Sequence, residues 1–274
     1  MIQLFIKHVL GVKHGIDGFY GKTDAYYGTV EQQGRLTLHL HLLLWIKSAL
    51  TPQEIRDRLM NADSDFQLKL AEYLEGVHCG EFLSSSKEQV RDRLDHARVD
   101  DELPTAIETM AEAPPICDTG TSCVKEKKCG SCHAWEDQYI NTTNELLFRC
   151  NVHKCRCCSN KWGKCKARFP RATHTHTSMD PSTGALLMKK GEPMMNFFTD
   201  LVTYLFRCNT DVTSLLSGTA IKAVVAYISD YISKPSLRTY IVFDAIKSVF
   251  EKNTELISDG NWSTHGITVL AWKS

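Results

Sequence analysis

Residues 27–45 read Tyr-Gly-Thr-Val-Glu-Gln-Gln-Gly-Arg-Leu-Thr-Leu-His-Leu-His-Leu-Leu-Leu-Trp, and this stretch decides the fold. Successive side chains of a β-strand point to opposite faces, so His39 and His41 share one face of a strand that begins near residue 36. The opposite face carries the leucines at positions 38, 40, 42 and 44. The sequence therefore predicts a strand that presents two imidazoles and whose back is anchored in a core.

The residues just before this strand predict its antiparallel partner. Residues 26–33 are rich in aromatic and β-branched side chains and lead into Gly34-Arg35, which favours a tight hairpin turn. Such a hairpin brings Glu31 or Gln33 near the histidines, and a one-residue slip in register changes which one. Imidazole and oxygen ligands together suit Mg²⁺, Mn²⁺ or Zn²⁺. The alternative is a histidine pair that is hydrogen-bonded or solvent-facing and holds no metal.

A second pattern with chemical meaning lies far along the chain. Apolar residues recur there at helical spacing, Gly218 can start a helix and Pro235 stops it. Tyr227 and Tyr231 are four residues apart and therefore neighbours on one face of that helix. Tyrosines at this spacing can simply pack against a core. Beside a metal ion that polarises a phosphodiester, a phenolic oxygen can instead attack phosphorus as a nucleophile.

Four segments, in order along the chain, carry a family resemblance. They read YYGTVEQQGRLTLHLH at 26–41, KCKARFPR at 164–171, RCNTDV at 207–212 and YISDYISK at 227–234. Together they resemble the helitron helicase-like amino-terminal domain, which is the replication-initiator nuclease part of Helitron transposon proteins. The resemblance covers nearly the whole chain, and the combination is far more specific than any one of its motifs.

The resemblance implies an endonuclease of the HUH class, in which two histidines flank a hydrophobic residue, here Leu40. It implies a Mg²⁺ or Mn²⁺ ion at His39 and His41 with Glu31 or Gln33 as third ligand. It also implies a tyrosine, Tyr227 or Tyr231, that forms a 5′-phosphotyrosine bond on single-stranded DNA. Two tyrosines would allow two successive strand transfers, as rolling-circle replication requires, and Lys234 could neutralise phosphate charge nearby.

Cysteines crowd between residues 117 and 165. Because no secretory signal precedes them, metal ligation by thiolates is a better interpretation than disulfides. The family has a cysteine-histidine cluster just before its Arg-Phe-Pro motif, and the resemblance implies a structural Zn²⁺ there, held by His153, Cys155, Cys158 and Cys165. Cys157 leaves the choice of ligands open. Such an ion would fold a loop that is too polar to fold unaided.

A second metal site is a further hypothesis. Cys129-x-x-Cys132 has the spacing of a ligand pair, and Cys117 or Cys123 could join it, with His133 as another candidate. The outer spacings are irregular, so the pattern alone does not separate a metal site from unrelated cysteines.

Charge is segregated along the chain although the formal net charge is +0. Residues 51–118 carry 7 basic and 16 acidic side chains, whereas residues 119–175 carry 11 basic and 4 acidic ones. Between Glu145 and Asp180 there is no acid, and Phe148, Trp162 and Phe169 lie among the basic residues. Phosphate-attracting cations interleaved with rings that can stack on bases favour single-stranded DNA as partner. The alternative is a solvated basic face around a metal site.

We expect an α+β fold: an antiparallel sheet that carries the His-x-His strand with flanking helices, an inserted helical segment and a Cys/His zinc-binding region. A capping box opens a helix at Thr51-Pro52-Gln53-Glu54. Other helices are expected at residues 2–10, 66–74, 87–97 and 240–251, and strands at 186–190 and, given the resemblance, at 202–208 beside the hairpin. Asn209 and Asp211 would lie at the end of that last strand, as turn residues or as substrate contacts.

The expected organisation has four parts. Residues 1–50 form the first part of the nuclease core, 51–115 an acidic helical insertion and linker, 116–175 the basic zinc-binding region, and 176–274 the second part of the core with the tyrosine helix. The abrupt start leads us to expect that strands upstream are missing. No Gly-x-x-x-x-Gly-Lys-Ser/Thr loop occurs, so the family's helicase is not expected in this chain. Oligomeric state does not follow from the sequence.

No membrane helix or leader is evident in the sequence, so we expect an intracellular soluble protein, and the resemblance implies a nuclear one. Three functions follow from these patterns. The first is a metal-dependent single-stranded DNA endonuclease and strand transferase of a rolling-circle transposon. The second is a truncated, catalytically inactive, zinc-stabilised DNA-binding remnant. The third is a zinc-stapled protein-interaction domain.

Overall fold

The structure, a computed structural model, describes residues 2–12, 16–32, 38–61, 64–97, 104–117, 129–154, 164–180, 182, 184–216 and 218–233. The chain forms two compact units, which we call unit 1 (Met1–Ala49 and Ser217–Ser274) and unit 2 (Leu50–Leu216). The fold mixes helices with small antiparallel sheets, as expected. None of the described helices is both long and apolar enough to span a membrane.

The described elements are as follows, in chain order. They are α1 (Ile2–Leu4, continued by a π-helical turn, Phe5–Val9), β1 (Thr23–Gln32), β2 (Leu38–Ile46), α2 (Pro52–Met60), α3 (Ser64–Val77), α4 (Lys87–Ala97), α5 (Gly130–Leu146, continued by a π-helical turn, Leu147–Asn151), β3 (Ser178–Met179), β4 (Leu186–Leu187), α6 (Asp200–Phe206) and α7 (Gly218–Ser233).

In unit 1, the amino-terminal helix packs against the start of the hairpin, in agreement with its amphipathic pattern. Phe5, Ile6 and Leu10 are buried. The Leu10 carbonyl oxygen accepts a hydrogen bond of 2.9 Å from Thr23 Oγ1 at the first residue of β1. A Cβ on Gly18 would meet that same carbonyl oxygen at 2.3 Å, so only glycine fits this close approach.

The predicted hairpin is confirmed, because β1 and β2 pair antiparallel. Their register places Glu31 opposite His39 and Thr29 opposite His41. The predicted turn at Gly34-Arg35 lies outside the described residues. On the leucine side of β2, residues 40, 42 and 44 are half-buried rather than fully enclosed. Among the described residues of unit 1, the sheet has these two strands.

In unit 2, the predicted helices of the acidic segment are confirmed as α2, α3 and α4. The capping box at the start of α2 is complete, since Thr51 Oγ1 accepts a hydrogen bond from the Glu54 amide at 3.3 Å and the Glu54 carboxylate accepts one from the Thr51 amide at 2.8 Å. The core of the unit joins α4, the end of α5 and the loop before α6. It is a cluster of buried residues, Phe82, Val90, Leu147, Met195 and Phe198.

The predicted linker at residues 100–115 is packed where the structure describes it. Residues 104–117 form no helix or strand, but neighbouring helices donate hydrogen bonds to their backbone. Trp135 Nε1 and the Tyr204 hydroxyl both donate to the Glu112 carbonyl oxygen, at 3.2 and 3.1 Å, and Arg207 Nη2 donates to the Met110 carbonyl at 2.8 Å. The composition of this segment predicted a linker. The packing could not be predicted in the same way, because the side chains that donate these hydrogen bonds are distant in sequence.

The strand predicted at residues 202–208 is wrong. This segment is α6, and it belongs to unit 2, whereas the hairpin belongs to unit 1. Asp200 in the first turn favours a helix electrostatically, and Arg207 ends it with a left-handed backbone at φ 54°. Thr203 and Tyr204 are buried on one face. The periodicity of a short apolar run does not distinguish a strand from a buried helix. The strand was chosen because of the family resemblance, and that choice was wrong.

The remaining predicted strand is shorter than expected. Of residues 186–190, Leu186–Leu187 forms β4, paired with β3, and Lys190 makes an isolated bridge to His174. Residues 176–216 belong to unit 2 rather than to the unit that holds the hairpin. The helix expected at 240–251 lies outside the described residues, and the division into functional parts stays a prediction.

Replacement of Asn144 should destabilise unit 2 strongly. Its side chain is fully buried in α5, where Oδ1 accepts from the Leu83 amide and Nδ2 donates to the Leu83 carbonyl, both at 2.8 Å. Asn144→Leu leaves two buried backbone groups without partners, so we expect a loss of about 2–4 kcal/mol in the free energy of unfolding, measured by urea denaturation. The exposed Gln138→Leu on the same helix is the matched control and should change it by less than about 0.5 kcal/mol. Equal effects of the two replacements would contradict a stabilising role of the hydrogen bonds between Asn144 and the Leu83 backbone.

Candidate functional site

The two histidines of β2 lie side by side, as the alternation predicts. Their ring centroids are 6.4 Å apart with planes tilted by 32°. His39 Nδ1 and His41 Nε2 are both shielded from solvent. Among the described residues, His39 Nδ1 has no hydrogen-bond partner. A buried polar atom without a partner is costly, and a divalent cation would remove that cost, so the pair fits a metal ion chemically.

Tyr227 is brought to the histidine pair by α7, which packs against β1 within unit 1. The rings of Tyr227 and His41 contact each other edge to face, with centroids 5.6 Å apart and an interplanar angle of 74°. Tyr227 is nevertheless 48% exposed, so a large substrate can reach it. Half of the surface of Tyr227 is open, so burial in a core, the alternative interpretation of this tyrosine, does not describe it.

The other predicted members of this site have only partial descriptions. Glu31 is the register partner of His39, but its side chain lies outside the described residues. The side chain of Tyr231, one turn beyond Tyr227 in α7, also lies outside them. So do Gln33 and Lys234 as whole residues. The structure therefore brings together His39, His41 and Tyr227, and the third ligand and second tyrosine stay predictions.

A cluster of three cysteines in unit 2 could hold a metal ion. The sulfur atoms of Cys117, Cys129 and Cys132 all lie within 4.8 Å of one another, and the first two are 3.8 Å apart. These are the residues of one version of the second metal site predicted from the sequence, in which Cys117 joins Cys129-x-x-Cys132. Three convergent thiols are typical of a structural Zn²⁺ site that needs one more ligand. Of the other candidates from the sequence, Cys123 lies outside the described residues, and His133 is exposed and is not one of the three converging ligands.

The fold explains why these thiols meet. Cys129 is the N-cap of α5, so one helical turn carries Cys132 back to the same side. Cys117 ends the packed segment 104–117, which Trp135 of α5 fixes through its hydrogen bond to Glu112. A metal ion here would fasten an irregular segment to the start of the longest described helix.

Half of the other predicted zinc site is described. His153 Nε2 and Cys165 Sγ are 3.3 Å apart, although 12 positions separate them in sequence. The His153 ring stacks on Phe169 at 4.3 Å between centroids, which fixes its orientation. Cys155 and Cys158, together with the competing Cys157, lie outside the described residues. Two of the four predicted ligands are therefore in contact.

Sequence reasoning missed a buried lysine. Lys190 follows Lys189 and resembles a solvated pair, but Lys190 is only 4% exposed. Its Nζ atom lies 4.5 Å from the centre of the Phe197 ring and, among the described residues, has no hydrogen-bond partner. Burial and the nearby Arg171 lower the pKa of Lys190 to about 8, against the attraction of Glu192 and Asp211. No local sequence signal identifies this residue, because its burial depends on long-range packing.

Neither the models of protein families nor the curated proteins nor the solved structures contain a match to this chain. Function is therefore inferred from the residues of the chain and their geometry.

Loss of one cysteine should remove one equivalent of bound metal. We expect Cys129→Ser to carry one zinc per chain less than the unaltered protein, measured by elemental analysis and native mass spectrometry, because the cluster loses a thiolate. Cys208→Ser is the control, since Cys208 is exposed and belongs to neither cluster. An unchanged metal content in Cys129→Ser would contradict the three-cysteine site.

Lys190 should make stability depend on pH in the alkaline range. In the folded chain its pKa is about 8, compared with 10.5 for an ordinary lysine, so the unfolded chain binds more protons between these values. The unfolding free energy of the unaltered protein should therefore rise relative to that of Lys190→Met as pH increases from 8 to 10, on the order of 2 kcal/mol. Lys189→Met, at the exposed neighbour, should keep the rise. A constant difference between the unaltered protein and Lys190→Met across this range would contradict the buried, unpaired ammonium.

Proposed function

We propose that the chain is a metal-dependent endonuclease and strand transferase for single-stranded DNA, with Tyr227 as nucleophile. The observation that carries the proposal is the contact between the exposed Tyr227 ring and His41 of the paired imidazoles. Metal-type ligands and a nucleophile from distant parts of the sequence, adjacent in one compact unit, are the combination that phosphoryl transfer to a tyrosine requires. The resemblance to the Helitron nuclease domain supports the same assignment.

His39 and His41 would hold Mg²⁺ or Mn²⁺, with Glu31 or Gln33 as third ligand. Glu31 is the candidate that the register of β1 favours, because it pairs with His39. When bound, such an ion would stabilise the negative charge that develops on the non-bridging phosphate oxygens. The feature that fits this ion is the buried His39 Nδ1, which has no hydrogen-bond partner among the described residues.

Tyr227 would act by a single substitution at phosphorus. The phenol loses its proton to solvent, its oxygen forms a bond to phosphorus, and the bond between phosphorus and the 3′ oxygen breaks. The released 3′ oxygen takes a proton, which leaves a free 3′ hydroxyl on one fragment and a 5′-phosphotyrosine on the other. Attack of a 3′ hydroxyl on that phosphotyrosine reverses the step and joins strands.

Further roles are proposed for residues without described side chains. Tyr231 would act in a second transfer, and Lys234 would neutralise phosphate charge.

In unit 2, the metal sites would keep the basic segment folded. Its lysines Lys154, Lys164 and Lys166 are exposed and would contact the DNA backbone. We propose a rolling-circle transposon as the source of the activity, and a nuclear location follows from the same resemblance.

The second candidate is the catalytically inactive DNA-binding remnant. The observation in its favour is that the described part of unit 1 has a two-stranded sheet, and isolated hairpins are marginally stable. In that case the histidines would lack the support that holds a metal ion in working geometry. The two candidates differ in one product, the covalent adduct.

A DNA strand labelled at its 3′ end should become attached to the protein. We expect a pool of 3′-labelled single-stranded oligonucleotides, incubated with Mn²⁺, to give labelled protein on a denaturing gel. The same pool labelled at the 5′ end should release shortened, protein-free strands, because only the 3′ fragment carries the phosphotyrosine. Tyr227→Phe and Tyr231→Phe, singly and together, identify the nucleophile, and the double variant should give no adduct.

The controls separate chemistry from folding. His39→Ala should lower the rate of adduct formation by at least about 100-fold, because one ligand of the catalytic ion is lost. Tyr73→Phe alters a tyrosine of similar exposure in α3 and should leave the rate unchanged. No adduct from the unaltered protein, with binding of single-stranded DNA retained, would overturn the nuclease and favour the remnant.

A further inference from the structure

A polar cavity of about 330 Å³ lies in unit 2 where α5 ends, and we call it the α5-end cavity. Its charged lining residues are Arg149, Lys154 and Asp211, and Asn196 and Asn209 are among its other polar ones. Asn151 Nδ2 donates to the Thr210 carbonyl at 2.8 Å, which ties the end of α5 to the chain after α6. This volume is within the range of small-ligand sites, but the lining is far more polar than that of an apolar pocket.

The charges around the cavity favour an anion. Lys154 is exposed at its edge, while Arg149 pairs with Glu145 at 2.6 Å. Arg171 and Lys190 do not line the cavity, but they lie close enough to Asp211 to attract its carboxylate. Two cations, Arg149 and Lys154, therefore line the cavity beside one carboxylate, Asp211. Among the described residues Lys154 is in no ion pair, so a phosphate group could take it as a partner.

The remaining wall offers both donors and acceptors. Asn196 Nδ2 donates to Asp211 Oδ2 at 2.8 Å, which fixes the orientation of both side chains, and Asn209 beside them is exposed. Amide and carboxylate groups in fixed positions are those that hydrogen-bond to the edges of nucleobases. The aromatic ring in the lining, Phe169, already stacks with His153 and contacts the guanidinium of Arg171. Recognition in this cavity would therefore use base edges rather than stacking.

We propose that the α5-end cavity binds one nucleotide of a single-stranded DNA. The lining cations hold its phosphate, and the lining amide groups select its base. This binding is separate from the cutting reaction, because the cavity belongs entirely to unit 2 and includes neither histidine of β2 nor Tyr227. The cavity would give the protein a preference for the identity of one base in the strand it holds.

The test measures binding with cutting abolished. Labelled single-stranded oligonucleotides that differ at one central base are titrated, without added Mg²⁺ or Mn²⁺, into the full chain carrying Tyr227→Phe and Tyr231→Phe, and fluorescence anisotropy is followed. We expect Lys154→Ala to weaken binding about fivefold for every base and to reduce the slope of log affinity against log salt by about 0.7. Asn209→Ala should instead reduce the preference among the four bases about fivefold while changing the salt slope little.

Both altered side chains are exposed, so the core stays intact, and circular dichroism checks this. Matched controls are Lys69→Ala, an exposed ion-paired lysine of α3, and Asn61→Ala, an exposed asparagine after α2. Variants of Lys154 and Asn209 that bind like these controls would overturn the proposal. So would competition by inorganic phosphate as strong as that by each oligonucleotide, because it would leave a phosphate site without base recognition. The outcome is independent of whether an adduct ever forms.

Discussion

The antiparallel register of β1 and β2 is the constraint on which the candidate site depends. It places His39 and His41 on one side of β2, pairs Glu31 with His39, and leaves β1 as the surface on which α7 packs. A slip of one residue would reverse the faces of β2 and move both imidazoles away from Tyr227. The edge-to-face contact of His41 with Tyr227 therefore exists only in this register, and the proposed chemistry follows from it.

Unit 2 is held together by a different kind of interaction. Much of it is irregular backbone, and its segments are fixed by buried side chains such as Asn144, by side chains of α5 and α6 that bond to residues 104–117, and by convergent cysteines. Metal ions at such cysteines would replace the stabilisation that a larger apolar core would give. This organisation also leaves polar and cationic groups at the protein surface and in the α5-end cavity, where a nucleic acid could reach them.

The sequence predicted the parts of the fold that local rules determine. The capping box at Thr51, the alternation around His39 and the helical period around Tyr227 each require only near neighbours, and all three are confirmed. Alternation could also predict that the imidazoles share a face, but not that Tyr227 would reach them. The failures lie where distant contacts decide. α6 is helical with Tyr204 buried against a segment about ninety residues earlier, and Lys190 is buried by packing that its exposed neighbour Lys189 does not share. Propensity carries no information on such contacts.

The most direct measurement is the distance between a bound metal ion and Tyr227. With fluorotyrosine incorporated throughout, ¹⁹F NMR resolves the tyrosines, and Tyr227→Phe identifies the signal of Tyr227. If His39, His41 and Tyr227 form one metal site, one equivalent of Mn²⁺ should broaden this signal more than any other, Mg²⁺ should not, and His39→Ala with His41→Ala should abolish the broadening. A Tyr227 signal that keeps its width when Mn²⁺ binds, or that broadens equally without the two histidines, would contradict a site formed by these three residues.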